Sequence, residues 1–502
     1  GLLGRMRGIL PWLLAVNPFG GKNAAAENLR AMRQALRHLQ AGGCLATFPA
    51  GEVSSFRWSG RRVVDSRWSS HVARLARQTG ATVVPVFFQG SNSWFFQAAG
   101  LVHPRARTAL LIREMNRQRG RVLRVRIGQP ITCARMDGFS TDEALTEFFR
   151  LKTYALRDAQ ESLRARRFFS GREKPSREMA AIIPAVSPER IRQEMAALPA
   201  EAKLAEGNGL AVYHFHGETL PHTLREVGRL REVSFRAVGE GSGKDCDLDG
   251  FDRHYEHLVL YDEKAAVVVG AYRLGLTDVL LEQFGKHGLY TSTLFRFRAA
   301  FFEKLDPAIE LGRSFVRPEY QRKPACVPLL WRGITAFVAR HPRYTNLFGP
   351  VSVNPQYHAF SRRLIEEFLR RKAIAADLAP LVRAKNPPRR INLDGADLAT
   401  LLEANFDADD LSVMVSGLEE DGKPVPVLLK HYLRLNGQMI AFNVDPDFGE
   451  CLDGLVLVDL LKVEPKLLRA HMGAGAAEEF LRFHEKFPAE KSGGLLPGWT
   501  GA

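Results

Sequence analysis

The chain has 502 residues, of which 45% are hydrophobic and 25% charged, a balance that excludes disorder as the default state and implies two or three domains. The net charge of +15 is uneven: residues 1–176 hold 29 Lys+Arg against 11 Asp+Glu, whereas the remainder holds 41 against 44. A basic first third implies a polyanionic partner, a membrane surface or nucleic acid, with each nearby Lys or Arg adding roughly 1 kcal/mol of attraction. Cys44, Cys133, Cys246, Cys326 and Cys451 lie far apart without C-x-x-C spacing, which argues against zinc and a disulfide framework and fits a reducing compartment. No run of about 18 apolar residues is present to span a bilayer.

In chain order, Leu29, Met32, Leu36 and Leu39 predict a helix over 25–41 that stops at Gly42-Gly43. Cys44–Phe48 reads as a short buried strand. A second helix carries Val72, Leu75 and Ala76 and stops at Gly80; strands follow at Val83–Phe88 and Arg121–Ile127. This alternation is α/β. Residues 166–204 loosen into an Ala/Pro/Glu-rich linker between a first domain, 1–165, and a second, 205–490. In the second, strands are expected at Leu210–Phe215, His257–Tyr261, Ala265–Leu274 and Ile309–Val316, helices near 221–236 and 325–340, and later strands at Val425–Leu435 and Gln438–Val444. His257 and Asp262 form a His-x4-Asp spacing, but on a strand they would face opposite sides and could not act as a pair. His214 and His216 share one side of a strand without a carboxylate at ligand spacing, so no metal site is expected.

Phe48-Pro-Ala-Gly-Glu-Val-Ser54 followed by Val83-Val-Pro-Val-Phe-Phe-Gln-Gly90 resembles the third and fourth blocks of the glycerolipid acyltransferases, and Val16–Gly21 resembles the second. The resemblance implies an acceptor-binding turn at Gly51, Glu52 and Ser54. Ala50 stands where the family usually has glutamate, which weakens the case for a phosphate-ester acceptor. The family's first block, a His-x4-Asp that deprotonates the acceptor hydroxyl, belongs ahead of Val16, where the chain given has none. The chain opens at Gly1 inside what reads as folded sequence and is expected to be incomplete, with this domain unable to transfer acyl groups as given, since a missing general base costs roughly 10²- to 10⁴-fold in rate.

Arg231-Glu-Val-Ser-Phe235, Asp247-Leu-Asp-Gly-Phe-Asp252, Gly270-Ala-Tyr-Arg-Leu274 and Glu310-Leu-Gly-Arg-Ser314 resemble, in order and spacing, the GNAT-fold N-acyltransferases of ornithine-lipid synthesis, some labelled hemolysins, and more distantly the acyl-homoserine-lactone synthases. The resemblance implies transfer of an acyl chain from acyl carrier protein to an α-amino group. It nominates Asp249, Asp252 and Glu310 as catalytic carboxylates that bind and deprotonate the amine, and Arg231, Arg273, Arg313 and Ser314 as substrate-binding. Arg317–Ala325 stands where coenzyme-A-dependent relatives carry a glycine-rich pyrophosphate loop; it has no glycine, which favours a carrier-protein donor.

Both halves together resemble the fused ornithine-lipid synthases: a partial glycerolipid-acyltransferase domain followed by a GNAT domain. The implied partners are acyl carrier protein, an amino acid, expected to be ornithine, and the anionic inner face of the cell membrane, with a cytoplasmic, peripheral location. No nucleic acid, cofactor or metal is expected. The alternatives are a non-catalytic basic binding protein with a degenerate enzyme fold and a lactone-type signal synthase.

Overall fold

The computed structural model describes residues 12–14, 16, 24–57, 62–90, 92–102, 104–120, 122–139, 141–169, 179–305, 307–388, 407–419 and 421–486. Asn17–Gly21 of the second acyltransferase block and residues 170–178 of the expected linker lie outside them. The chain forms two compact units, the first from residues 1–172 and 391–424, the second from 173–390 and 425–502.

The first unit contains α1 (Ala24–Gln40), a hairpin of β1 (Ser55–Arg57) and β2 (Arg62–Val64), α2 (His71–Thr79), β3 (Val86–Gln89), α3 (Trp94–Val102), α4 (Pro104–Arg117), β4 (Arg124–Ile127), α5 (Cys133–Met136) and the long α6 (Asp142–Phe169). Strands β3 and β4 pair antiparallel, Val86 opposite Ile127. Ala73 and Ala76 of α2 are buried, as are Leu145, Phe148 and Phe149 of α6. The helix Ala408–Leu418 belongs to this unit and lays Gly417 on Phe148. Cys44–Phe48 forms no strand, and Phe48 is 77% exposed. The run is apolar but too short to show whether anything covers it.

In the second unit, α7 (Pro188–Ala196) buries Ile191 and Met195, so part of the stretch read as linker is packed structure. Then come β5 (Lys203–Gly207), β6 (Leu210–His216), α8 (Pro221–Ala237), β7 (Glu256–Asp262), β8 (Val267–Leu276), α9 (Thr277–Phe284), α10 (Thr291–Leu294), β9 (Phe295–Phe297), α11 (Ala299–Leu305), β10 (Ala308–Val316), α12 (Cys326–Arg340), β11 (Asn346–Val353), α13 (Ala359–Lys372), β12 (Val382–Ala384), β13 (Gln438–Asp445) and β14 (Cys451–Asp459). Eight strands form one sheet in the order β13-β14-β11-β10-β8-β7-β6-β5. Every pairing in it is antiparallel except β10 with β11.

That parallel pairing is short: it joins Ala308, Ile309 and Glu310 to Asn346, Leu347 and Phe348. Beyond it β10 stays with β8 through a bulge between Gly312 and Phe315, while β11 continues along β14. The two strands therefore part after Glu310, and Arg313 sits in the bulge with φ +50°. Residues 427–434, expected as a strand, form a helix that buries Leu429 and Tyr432. Those two residues lie three apart, on one helical face, and Pro426 suits the helix start.

Candidate active site

The short helical turn Gly250–Arg253 is capped by Asp249, whose carboxylate accepts the Phe251 N–H at 3.0 Å, while Asp252 accepts the Asp249 N–H at 2.8 Å. The segment before it lies hard against α8. A Cβ on Gly228 would stand 2.5 Å from Leu248, and Asp247 donates its N–H to the Gly228 carbonyl at 3.1 Å. Glycine in mid-helix costs about 1 kcal/mol relative to alanine, and here it permits that approach.

Three arginines from three elements meet these aspartates. Arg231 of α8 binds Asp252 at 2.7 Å; Arg273 of β8 binds Asp249 at 2.7 Å and lies 3.3 Å from Asp252; Arg313 lies 3.5 Å from Asp247 and 3.6 Å from Asp249. Arg231 and Arg273 are wholly buried. The Arg273 guanidinium lies over the rings of Phe251, Tyr255 and Tyr290, and Arg313 between Tyr290 and Phe448. Burial opposes ionisation of Asp252, yet Arg231 and Arg273 hold its carboxyl well below the usual range. Burial and Arg231 push His257 down to about 4, so it is neutral at pH 7; its Nε2 contacts the Asp252 carbonyl at 2.8 Å.

Glu310 is 1% exposed and accepts the Tyr255 hydroxyl, the Tyr290 N–H at 3.0 Å and the Thr291 N–H at 2.7 Å. It ties the 290–291 turn to the place where β10 leaves β11. Ser314 stands apart from the others: it lies near Tyr272, which neighbours Arg273 on β8 and so projects from the opposite face. The expected grouping of Asp249, Asp252, Arg231, Arg273 and Arg313 is thus one connected network, with Glu310 joined to it through Tyr255 and Tyr290.

Sequence reasoning passed over Glu240, Asp445 and Asp453, all 5–6% exposed. Burial lifts Glu240 to about 7, and burial followed by Asp445 raises Asp453 well above the usual carboxylate range. Two of the three were visible as aspartates inside apolar strands, Asp445 ending Phe-Asn-Val-Asp and Asp453 within Cys-Leu-Asp-Gly-Leu.

In the first unit, Gly51 donates its N–H to Phe48 in a turn, Ser66 bonds to the exposed Glu52, and Ser54 donates to Asp65 at 2.5 Å. His257 and Asp262 occupy β7 six positions apart inclusive, on opposite faces. His214 is bonded to Glu256 at 2.6 Å.

Residues 230–332 match a family described as Acetyltransferase (GNAT) domain, and residues 1–163 match one described as Acyltransferase. The protein is therefore an acyltransferase whose second unit is of GNAT type. A "Glycine N(alpha)-acyltransferase" of Bacteroides thetaiotaomicron is 29% identical over 64% of this chain and 97% of its own length. One of the same name from Phocaeicola vulgatus is 31% identical over 47% and 76%, and an "L-ornithine N(alpha)-acyltransferase" of Brucella abortus is 30% identical over 29% and 58%. The chain belongs to the GNAT-type acyltransferase family that contains these glycine N(alpha)-acyltransferases. No solved structure matches it.

Proposed function

We propose that this protein transfers an acyl chain from a thioester donor to the α-amino group of a small amino acid. The observation that carries the reading is the buried network of Arg231, Arg273 and Arg313 with Asp247, Asp249 and Asp252 beside the point where β10 and β11 separate. A thioester arm can enter between separating strands and meet backbone N–H groups that stabilise the developing oxyanion. The network leaves guanidinium donors unused: Nε and Nη2 of Arg273 are buried with no hydrogen-bond partner. Such donors suit a carboxylate, which an amino acid brings.

Within the network Arg231 and Asp252 act as positioning residues, since neither is accessible. Asp249, with 18% of its side chain exposed, orients Arg273 and Arg313 toward the substrate. Glu310 positions the 290–291 turn. Glycine is the favoured acceptor, because the relatives so named align over more of their length than the ornithine enzyme does. Ornithine is the second acceptor to test. The donor is acyl carrier protein, in keeping with Arg317–Ala325: Arg317 pairs with Glu319, Lys323 lies over the Tyr320 ring, and no glycine opens the backbone to a pyrophosphate.

The first unit rests on an anionic membrane face, supplying lipid synthesis there. Trp94, Phe95 and Ile127 are 83%, 55% and 72% exposed in the basic third of the chain. No helix among the described residues is long and apolar enough to cross a membrane.

The test is mass spectrometry of reactions containing the full chain, 3-hydroxyacyl carrier protein or the coenzyme A thioester, and glycine, ornithine or neither. An N-acyl amino acid, formed faster from the carrier protein, is expected. Folded protein that yields no N-acyl product from either donor would sink the reading.

A further inference from the structure

Glu240, Asp445 and Asp453 come from three elements and share one enclosed place. Glu240 follows α8, where its N–H is held by the Phe235 carbonyl at 2.8 Å and Glu232 fastens the next turn by accepting from Ser242 and Gly243. Its carboxyl lies close enough to Ser352 of β11 for that hydroxyl to act against the effect of burial. In the sheet, Asp453 stands directly opposite Ser352 on one side and Asn443 on the other, and Asp445 opposite Cys451. Directly opposed residues of an antiparallel pair project from the same face, so all of these side chains converge.

Among the described residues none of the three carboxylates has a Lys, Arg or His within ion-pairing distance. The cation acting on Asp445 and Asp453 is Arg313, which already lies against Asp247 and Asp249. Asp445 takes the Asp447 N–H at 2.9 Å, and Asp453 has the Cys451 thiol at 3.4 Å. Asn443 supplies an independent sign of a ligand. It is 0% exposed; its Oδ1 accepts the Asn386 N–H at 2.8 Å, but its Nδ2 has no partner. A buried donor left unmade costs about 1–3 kcal/mol, and it faces Asp453 across the ladder. The Arg313 guanidinium, which acts on Asp445 and Asp453, is held only loosely by its own partners, 3.5 Å from Asp247 and 3.6 Å from Asp249. Three carboxylates without an ion-paired cation, beside a buried amide donor without an acceptor and a loosely paired guanidinium, are complementary to a zwitterion.

Building on the N-acyl transfer proposed above, we propose that Glu240, Asp445 and Asp453 bind the α-ammonium of the acceptor while Asn443 and Arg313 bind its carboxylate, one of the three carboxylates being the base. Asp252 is held ionised by Arg231 and Arg273, which makes it a poor proton acceptor, while Asp249 is engaged by arginines and Glu310 by three hydrogen bonds. A carboxylate whose charged form is disfavoured by burial, as for Glu240, accepts a proton readily at neutral pH. In the reaction the ammonium gives one proton to that carboxylate, and the nitrogen lone pair forms the C–N bond to the thioester carbonyl carbon. The C–S bond then breaks with its electron pair on sulfur, which takes a second proton from nitrogen, leaving an amide and a free thiol.

The experiment compares the full chain with Asp453→Asn and Glu240→Gln. It records N-acylation against glycine and ornithine concentration, donor-thioester hydrolysis without acceptor, and Tm. Each variant is expected to raise the KM for both acceptors at least tenfold and to lower kcat, with hydrolysis unchanged and Tm equal or higher. Unchanged kinetics in both variants, with the parent active, would overturn the assignment alone. So would an effect confined to ornithine, which would make these carboxylates readers of a side-chain amine, or a fall in Tm that takes hydrolysis down with it. A parent chain that acylates neither amino acid would instead remove the function on which the assignment rests.

Discussion

Asp252 and Glu240 are both buried carboxylates, and their surroundings drive them in opposite directions. Asp252 is held low by Arg231 and Arg273, so it contributes stability above the ordinary carboxylate range that disappears as the solution is acidified below it. Replacing it with asparagine leaves two buried guanidinium groups undercompensated, and Asp252→Asn is expected to lower unfolding stability by about 3–5 kcal/mol in urea titrations. Glu240 is raised from 4.5 to about 7. The folded protein then binds more protons than the unfolded chain over that interval, so stability is full below the unfolded value and is lost as pH rises through 7. The slope amounts to about 3 kcal/mol for this one group. Urea midpoints measured at pH 5 and pH 7.5 should differ accordingly in the parent and much less in Glu240→Gln; equal slopes would remove the group from consideration.

At the level of elements, the close approach of β11 to β10 just past their last paired residues depends on a glycine. A Cβ on Gly349 would lie 2.0 Å from the Leu311 carbonyl oxygen, which is backbone and cannot swing away. Gly349→Ala should therefore push the strands apart, cost roughly 1–3 kcal/mol as overpacking does, and lower acyl transfer more than its loss of Tm explains. Unaltered transfer would mean that the strand separation has no part in the chemistry. The helices and the central strands of the second unit were legible because their apolar spacing is regular: α8 and α12 lie over 221–237 and 326–340 as the pattern implies. The arginine and aspartate network was legible through its motif order, since each member lies in a segment distinctive enough to align by eye. Residues 427–434 were misread because a short apolar run has no inherent period, and Cys44–Phe48 because apolar character says nothing of what packs against it. Glu240, Asp445 and Asp453 were hidden for a different reason. Asp445 and Asp453 lie on neighbouring strands, but Glu240 stands about 200 residues earlier, after α8, and no local pattern encodes the sheet register that brings Ser352 and the two aspartates to it.

For the molecule as a whole, chain order and unit boundaries do not coincide: residues 391–424 return to the first unit after most of the second is complete. Leu411, Met414 and Val415 are buried there. Removing residues 1–172 should expose them, giving a product that binds a hydrophobic dye and aggregates, whereas also replacing 391–424 with a short polar linker should restore solubility; identical dye binding by the two truncations would contradict the boundary. The first unit carries the basic surplus, and sedimentation of the full chain with anionic vesicles should fall steeply as salt rises through the range where the screening length drops below about 10 Å. The three carboxylates without a cation have a consequence at this scale as well. A fold that confines like charges is least favoured when nothing neutralises them, and a bound amine would contribute about 2.7 kcal/mol at one hundred times its Kd. The amount of intact enzyme in a cell would then follow the supply of its own acceptor, so that starvation for the amino acid would be answered by turnover of the protein that consumes it.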